Sequence, residues 1–347
     1  MTPAGLAFAN PDDRDYLRAQ IAPIPAVIRS AIICKYAERL KTNRQAANLW
    51  IGEQAAEVRR LSRAITSSAT SEEVDSVAEA MARRMSIMRA KGADCQDIAQ
   101  AIEARGIEPP DIEAVGPGGL IARAKCRRWW RRQIRKARGR TIEALAIRAG
   151  VVRKWRQPYA SDDAVTAYLA QRQRNRALLE RLEAENEDGY KATLAELADK
   201  STAKPANRRA ELMTRLHGFE AIAAEVGHVS TMWTITCPPR MHGSADSYDG
   251  TTPRQAQDHL RAVWARTRAA LKRAGVYVYG FRVAEPHHDG CPHWHLLLFH
   301  QRAERPAINR LIRRYALAID PDAPGSQEHR VKQDRIKGSA TAYLAKY

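Results

Sequence analysis

Apolar residues change their spacing once along the chain, near residue 228. Upstream they recur every three or four positions, as in helices that bury one face. Residues 14–104 read as helical on that basis. Thr70 and Glu73 form a capping-box pair and open an Ala- and Met-rich helix that runs to about Ala90. Pro109, Pro110, Gly116, Pro117 and Gly118 punctuate residues 106–119, which predicts a connector. A second helical region covers about 120–226, interrupted near Gly150 and Pro158, with Ser161 placed to cap the long helix that follows.

From residue 228 a period of two appears for the first time. Residues 232–237 alternate, with Thr234 and Thr236 on one face and Trp233 and Ile235 on the other. Thr252 and Pro253 make a cap and first-turn pair, and Leu260, Val263, Trp264, Thr267 and Leu271 form one helical stripe that Gly275 ends. Residues 276–285 and 293–300 read as strands, separated by a turn rich in Pro and Gly (Pro286, Gly290, Pro292). A helix opened by Pro306 carries Ile308, Leu311, Ile312, Tyr315 and Ile319 on one side. A weak strand at 328–333 and a helix from Ser339 complete the chain.

The order β-α-β-β-α-β is that of the split βαβ, ferredoxin-like arrangement, an antiparallel sheet backed by two helices. The expected class is therefore α+β: a mainly α-helical N-terminal region followed by a C-terminal ferredoxin-like domain. The predicted divisions are a helical region at 1–110, a basic helical region at 120–226 and the sheet-containing domain at 228–347. Tyr347 falls in mid-helix with no cap or breaker, which predicts a natural chain that continues.

Charge narrows the partners. Lys and Arg number 57 against 39 Asp and Glu, a net charge of +18. That excess predicts a polyanion, with nucleic-acid phosphate as the default. No apolar run approaches the ~20 residues a membrane-spanning helix needs, and the first residues lack a signal-peptide core, so no membrane partner is expected. The five cysteines are scattered and never form C-x-x-C, which fits neither a disulfide framework nor a zinc ribbon and points to a reducing cytoplasm. Every charged residue in 123–140 is Lys or Arg, with two tryptophans in the middle. Arg127, Arg128, Trp129, Trp130, Arg131, Arg132, Arg135 and Lys136 are the DNA-binding candidates, able to track phosphates and stack bases. A solvated helix whose tryptophans face a core has the same pattern.

Two motifs carry chemistry. His293 and His295 flank Trp294 in an apolar strand, so alternation puts both imidazoles on one face. If the preceding strand pairs back through its turn, Glu285 joins them. Two imidazoles and a carboxylate can hold a divalent ion with positions left open, as a catalytic site requires. The same set would suit zinc hydrolysis or a two-His-one-carboxylate iron site, and His287 or His288 could substitute as ligands. The second motif is Tyr343 and Tyr347, at i and i+4 on the last helix, able to address one place. A phenol with a reference pKa of about 10 is a poor nucleophile unless its phenolate is stabilised. Lys346 is the nearby cation, suited also to act on a leaving oxygen. Two tyrosines so spaced would equally pack a helix on a sheet.

The runs MWTITCPPRMH (232–242), GFRVAEPHHDGCPHWHLLLF (280–299) and KGSATAYLAKY (337–347) together resemble the HUH endonuclease superfamily. The likeness is strongest to the gene A replication proteins of tailed temperate phages, relatives of the rolling-circle initiators of small single-stranded DNA phages. It is specific over about 228–347 and fainter upstream, where CRRWWRRQIRK (126–136) is also similar to that family. The resemblance implies that His293, His295 and Glu285 ligate Mg²⁺ or Mn²⁺. It implies that Tyr343 or Tyr347 attacks a scissile phosphodiester, keeps the 5′ phosphate and frees a 3′-OH that primes synthesis. The second tyrosine would then cleave the regenerated origin and allow rejoining. Single-stranded and origin DNA would be the partners, with a host replicative helicase, in the cytoplasm of a bacterial host. Two other functions compete: a metal-dependent nucleic-acid hydrolase acting through activated water, and a non-catalytic origin-binding protein.

Overall fold

Capping side chains set the starts of the long helices. Thr70 Oγ1 accepts from the Glu73 amide while the Glu73 carboxylate accepts from the Thr70 amide, and Asp94 with Asp97 and Thr252 with Gln255 repeat the pattern. Ser161 Oγ accepts from the Ala164 amide at 3.2 Å, as expected of a cap. The structure, a computed structural model, describes residues 11–62, 70–245, 247–336 and 338–344. It is a mixed α and β protein whose chain divides into two units between Ala164 and Val165.

The first unit is helical: α1 (Pro11–Ile21), α2 (Ala26–Leu40), α3 (Arg44–Ser62), α4 (Ser71–Ala90), α5 (Cys95–Glu103), α6 (Ile112–Ala124) and α7 (Arg127–Arg148). Helix α6 shortens the expected connector at 106–119 to its first part, 106–111. Gly116 adopts φ 70° and Pro117 follows it, so the residues that read as breakers mark a kink and a new first turn inside the helix. Helix α7 serves two cores. Trp129, Trp130 and Ile134 pack with Val74, Met85 and Ile98, whereas Leu145 and Ala146 pack with Ile28, Ile32 and Ile51.

Helix α8 (Asp162–Arg181) contains the division and leads into the second unit. A short hairpin, β1 (Glu183–Glu185) and β2 (Lys191–Thr193), follows it, then α9 (Leu194–Lys200) and α10 (Pro205–Glu225). Extended structure thus begins before residue 228; three-residue strands are too short to show a period of two.

The main sheet follows the expected order: β3 (Val229–Thr236), α11 (Pro253–Arg273), β4 (Tyr279–Pro286), β5 (Pro292–His300), α12 (Arg305–Ala316), the single turn α13 (Ser326–His329), β6 (Val331–Arg335) and α14 (Ala340–Leu344). Its strands lie in the order β4-β5-β3-β6, every pairing antiparallel. One face carries Trp233, Ile235, Trp294, Leu296 and Leu298, which bury against Leu260, Val263 and Leu271 of α11 and Ile308 and Ile312 of α12. Met232, Leu297 and Phe299 on the other face pack with Leu216 of α10 and with Ala340 and Leu344 of α14. Gly280 is fixed by close approach: at φ 149° a Cβ would lie 1.9 Å from the Leu297 carbonyl oxygen across the strand pair. Among the described residues, no helix is long and apolar enough to cross a membrane.

Candidate metal centre and tyrosine helix

Register decides which side chains meet. Glu285 of β4 lies directly across from His293 of β5, and Thr234 of β3 directly across from His295. With a period of two, Glu285, His293, His295 and Thr234 project from one face of the sheet. One ligand atom from each of Glu285, His293 and His295 lies within 4.8 Å of the others, the only such cluster of potential metal ligands among the described residues. The two Nε2 atoms are 2.9 Å apart, and Glu285 Oε2 sits 3.2 Å from His295 Nε2 and 3.5 Å from His293 Nε2.

Electrostatics favours ligation. Burial, with the neighbouring His287 and His295, pulls His293 down to about 4, so its ring is neutral near pH 7 and keeps a lone pair. Thr234 Oγ1 lies 3.0 Å from His295 Nδ1. With Nδ1–H donating to that hydroxyl, His295 Nε2 carries its lone pair toward Glu285, the orientation an outer partner gives a ligating histidine. His293 Nδ1 is buried with no hydrogen-bond partner among the described residues. Two imidazoles and a carboxylate converging from two adjacent strands fit a divalent ion with open positions.

A second polar group adjoins the first. His242, beyond the end of β3, places Nδ1 2.9 Å from Asp289 Oδ2, which also accepts from Ser244 Oγ at 3.0 Å. Burial alone would raise the Asp289 carboxyl, but His242, the Cys291 amide and Ser244 outweigh it and hold the group down to about 2. His287 lies between the two groups, its ring centre 4.2 Å from that of His293 and 5.2 Å from that of His242. His287 Nε2 is buried and without a partner among the described residues. The shared face of His293 and His295 was legible from alternation, and Glu285 from the hairpin pairing. Thr234, His242 and Asp289 were not, because their roles depend on cross-strand and loop contacts.

Tyr343 lies on α14, half-buried against the cluster that includes Phe281 and Val283 of β4, and so shares the sheet face of Glu285, His293 and His295. Tyr347 and Lys346 lie outside the described residues. In the first unit, the basic helix sorts into two groups. Trp129 and Trp130 are 7% and 0% exposed, and the Trp130 indole N–H donates to the Ala124 carbonyl at 2.6 Å. They form core, so base stacking on them is not available in this structure. Arg127 and Arg131 approach Asp75, and Arg135 donates to Ser71 Oγ at 2.6 Å. Arg128, Arg132 and Lys136 are exposed and one helical turn apart, on a single stripe.

A family model described as bacteriophage replication gene A protein (GPA) matches residues 53–347. The chain belongs to this family. It is 39% identical over 242 residues to a probable replication protein P12 of Pseudoalteromonas phage PM2, covering 69% of this chain and 38% of that protein. It is 40% identical over 231 residues to the replication gene A protein of Escherichia phage 186, covering 63% and 33%. A probable replication endonuclease from a prophage-like region of Salmonella typhi is 36% identical over 239 residues, covering 66% and 30%. The chain therefore spans 30% to 38% of the length of these relatives. No solved structure matches it.

Proposed function

We propose that this gene A family member is a site- and strand-specific DNA nicking and joining endonuclease of the HUH type, which starts rolling-circle replication of a phage genome. The observation that carries the reading is the shared sheet face: the trio Glu285, His293 and His295 projects from the face on which the helix of Tyr343 packs. The strand order and antiparallel pairing support a ferredoxin-like HUH fold for the second unit. In this reading Glu285, His293 and His295 hold Mg²⁺ or Mn²⁺, which when bound supplies Lewis-acid polarisation of the scissile phosphate. The phenolic oxygen of Tyr343 or Tyr347 gives up its proton and forms the new bond to phosphorus. The bond from phosphorus to the 3′ oxygen breaks, and that oxygen takes up a proton as the priming 3′-OH. The phosphoester is exchanged rather than hydrolysed, so the reverse step joins strands without ATP. In the same reading Lys346 assists the leaving oxygen.

The relatives named as replication endonucleases support a DNA substrate. Exposed Arg128, Arg132 and Lys136 serve as phosphate contacts in the same reading, within a basic helical region that helps recognise the origin. A host replicative helicase is the expected partner downstream of nicking, in the bacterial cytoplasm. The three-part division drawn from the sequence is kept as a functional proposal: 1–110 for partner or duplex contacts, 120–226 for DNA and 228–347 for chemistry.

The test is incubation with single-stranded origin DNA and Mn²⁺, followed by denaturing electrophoresis. A covalent protein–DNA band that EDTA prevents is the expected result. Cleavage without a covalent band would instead establish a hydrolase acting through water, and binding without cleavage would leave only an origin-binding module.

A further inference from the structure

A five-residue helix cannot hold itself: it is far shorter than the length at which isolated helices persist, and its first amides have no partners inside it. In α14 those amides are met from outside. Ser339 Oγ accepts from the Ala342 amide at 3.1 Å. The amides of Ala340 and Thr341 and the hydroxyls of Ser339 and Thr341 all donate to one carboxylate, that of Glu220 on α10. These contacts link positions 119 to 121 residues apart. Glu220 interrupts an otherwise apolar stripe of α10, between Leu216 and Ala223, which with Phe219 packs on the sheet face described above. A carboxylate at such a position loses hydration unless donors replace it, and here every donor named comes from the start of the tyrosine helix. The side chain is 24% exposed.

We propose that Glu220 is the positioning residue of the tyrosine helix: it ties the first turn of α14 to α10 and thereby fixes Tyr343 relative to the sheet that carries Glu285, His293 and His295. This rests on the reading of Tyr343 and Tyr347 as nucleophiles. It also makes α10, which lies upstream of the strands, part of the catalytic apparatus. Burial would raise the Glu220 carboxyl, but the hydrogen bonds from Thr341, Ser339 and Ala340 outweigh it and hold the group below its usual range, in keeping with an ionised anchor.

The test compares the whole chain with Glu220→Gln, whose amide N–H₂ would face donors where an acceptor is needed. The probe is a set of tiled single-stranded oligonucleotides from the genome region encoding the chain, with Mn²⁺. Expected are a fall of about 10- to 100-fold in kcat for adduct formation with KM within about two-fold, as for a misplaced nucleophile. Amide exchange should accelerate in the peptide spanning 339–344 and stay unchanged in the sheet peptides. Thr341→Ala, which removes one donor, should give a smaller effect of the same kind and serves if Glu220→Gln does not fold. Unchanged kcat and exchange, or a raised KM with kcat intact, would overturn the proposal. The variant with Tyr343 and Tyr347 both changed to Phe separates the two claims. An adduct that persists in it removes the nucleophile reading, while the exchange data still decide whether Glu220 holds the helix.

Discussion

The two faces of the second unit's main sheet are built from alternate residues of the same strands, yet they differ in how their polar atoms are satisfied. On the face under α11 and α12, Trp294 donates its indole N–H to Gln257 Oε1 at 2.9 Å and Trp233 donates to Asn309 Oδ1 at 3.3 Å. Thr231 and His300, buried on the same face, meet each other, Oγ1 to Nε2 at 2.9 Å. The opposite face changes along β5 from Phe299 and Leu297, covered by α10 and α14, to His295 and His293. There, buried nitrogens of His293 and His287 have no partner among the described residues. A folded chain normally satisfies such groups. The polar side chains named on the packed face are met from within the protein, whereas in the proposed function the histidine face is completed by a bound ion.

Substitutions at adjacent residues should separate the faces most strongly. His295→Ala is expected to lower strand cleavage by roughly 1,000-fold or more, as loss of a ligand at a catalytic ion would, with only a minor change in unfolding free energy. Trp294→Ala, one residue away, should cost about 3–5 kcal/mol of stability. Cleavage assays run beside urea unfolding check both, and a His295→Ala protein that unfolds as readily as Trp294→Ala would erase the distinction.

Thr234→Val tests the orienting hydroxyl on the site face. It preserves shape, so stability should hold, while affinity for Mn²⁺ measured by calorimetry should fall about 10- to 100-fold. An unchanged affinity would mean that His295 is oriented by its strand alone.

Legibility followed the same division. Alternation in 293–300 exposed the histidine face because a period of two is local. Glu285 needed only the hairpin register, and β4 pairs with β5 as that required. Thr234, Asp289 and Glu220 could not be found this way, since each acts on a residue tens of positions away. Charge misled in the first unit. Arginines flanking Trp129 and Trp130 suggested stacking, but Trp130 and Ile134 stand one turn apart on the buried side of α7. Likewise Gly116 and Pro117 read as a connector because a kink and a helix start use the same residues as a loop.

The pH dependence of the adjoining polar group supplies a finer test. Asp289 is depressed in the folded state, so its contribution is full above the ordinary carboxylate range and is lost as pH falls toward about 2. Its side chain is 1% exposed, so screening by solvent is slight. Asp289→Asn should therefore reduce stability by roughly 2 kcal/mol at pH 7. Denaturant unfolding from pH 7 downward should show that deficit shrinking below about pH 4. A deficit that does not vary with pH would assign Asp289 a packing role only.

The smallest effect is expected in the first unit. Changing Arg128, Arg132 and Lys136 together to Ala should weaken single-stranded DNA binding and reduce the slope of log affinity against log salt by about 2, as for three lost phosphate contacts. Cleavage of saturating DNA should change little. An unaltered slope would show that this stripe of α7 does not meet phosphate.

Mapping the covalent bond decides whether a tyrosine of this chain is the nucleophile. The nicked complex would be digested with nuclease and protease and the phosphonucleotide located by mass spectrometry. The expected result is a 5′-phosphotyrosyl link at Tyr343 or Tyr347 and none after both are changed to Phe. A link at any other residue, or cleaved DNA with no link to protein, would contradict it.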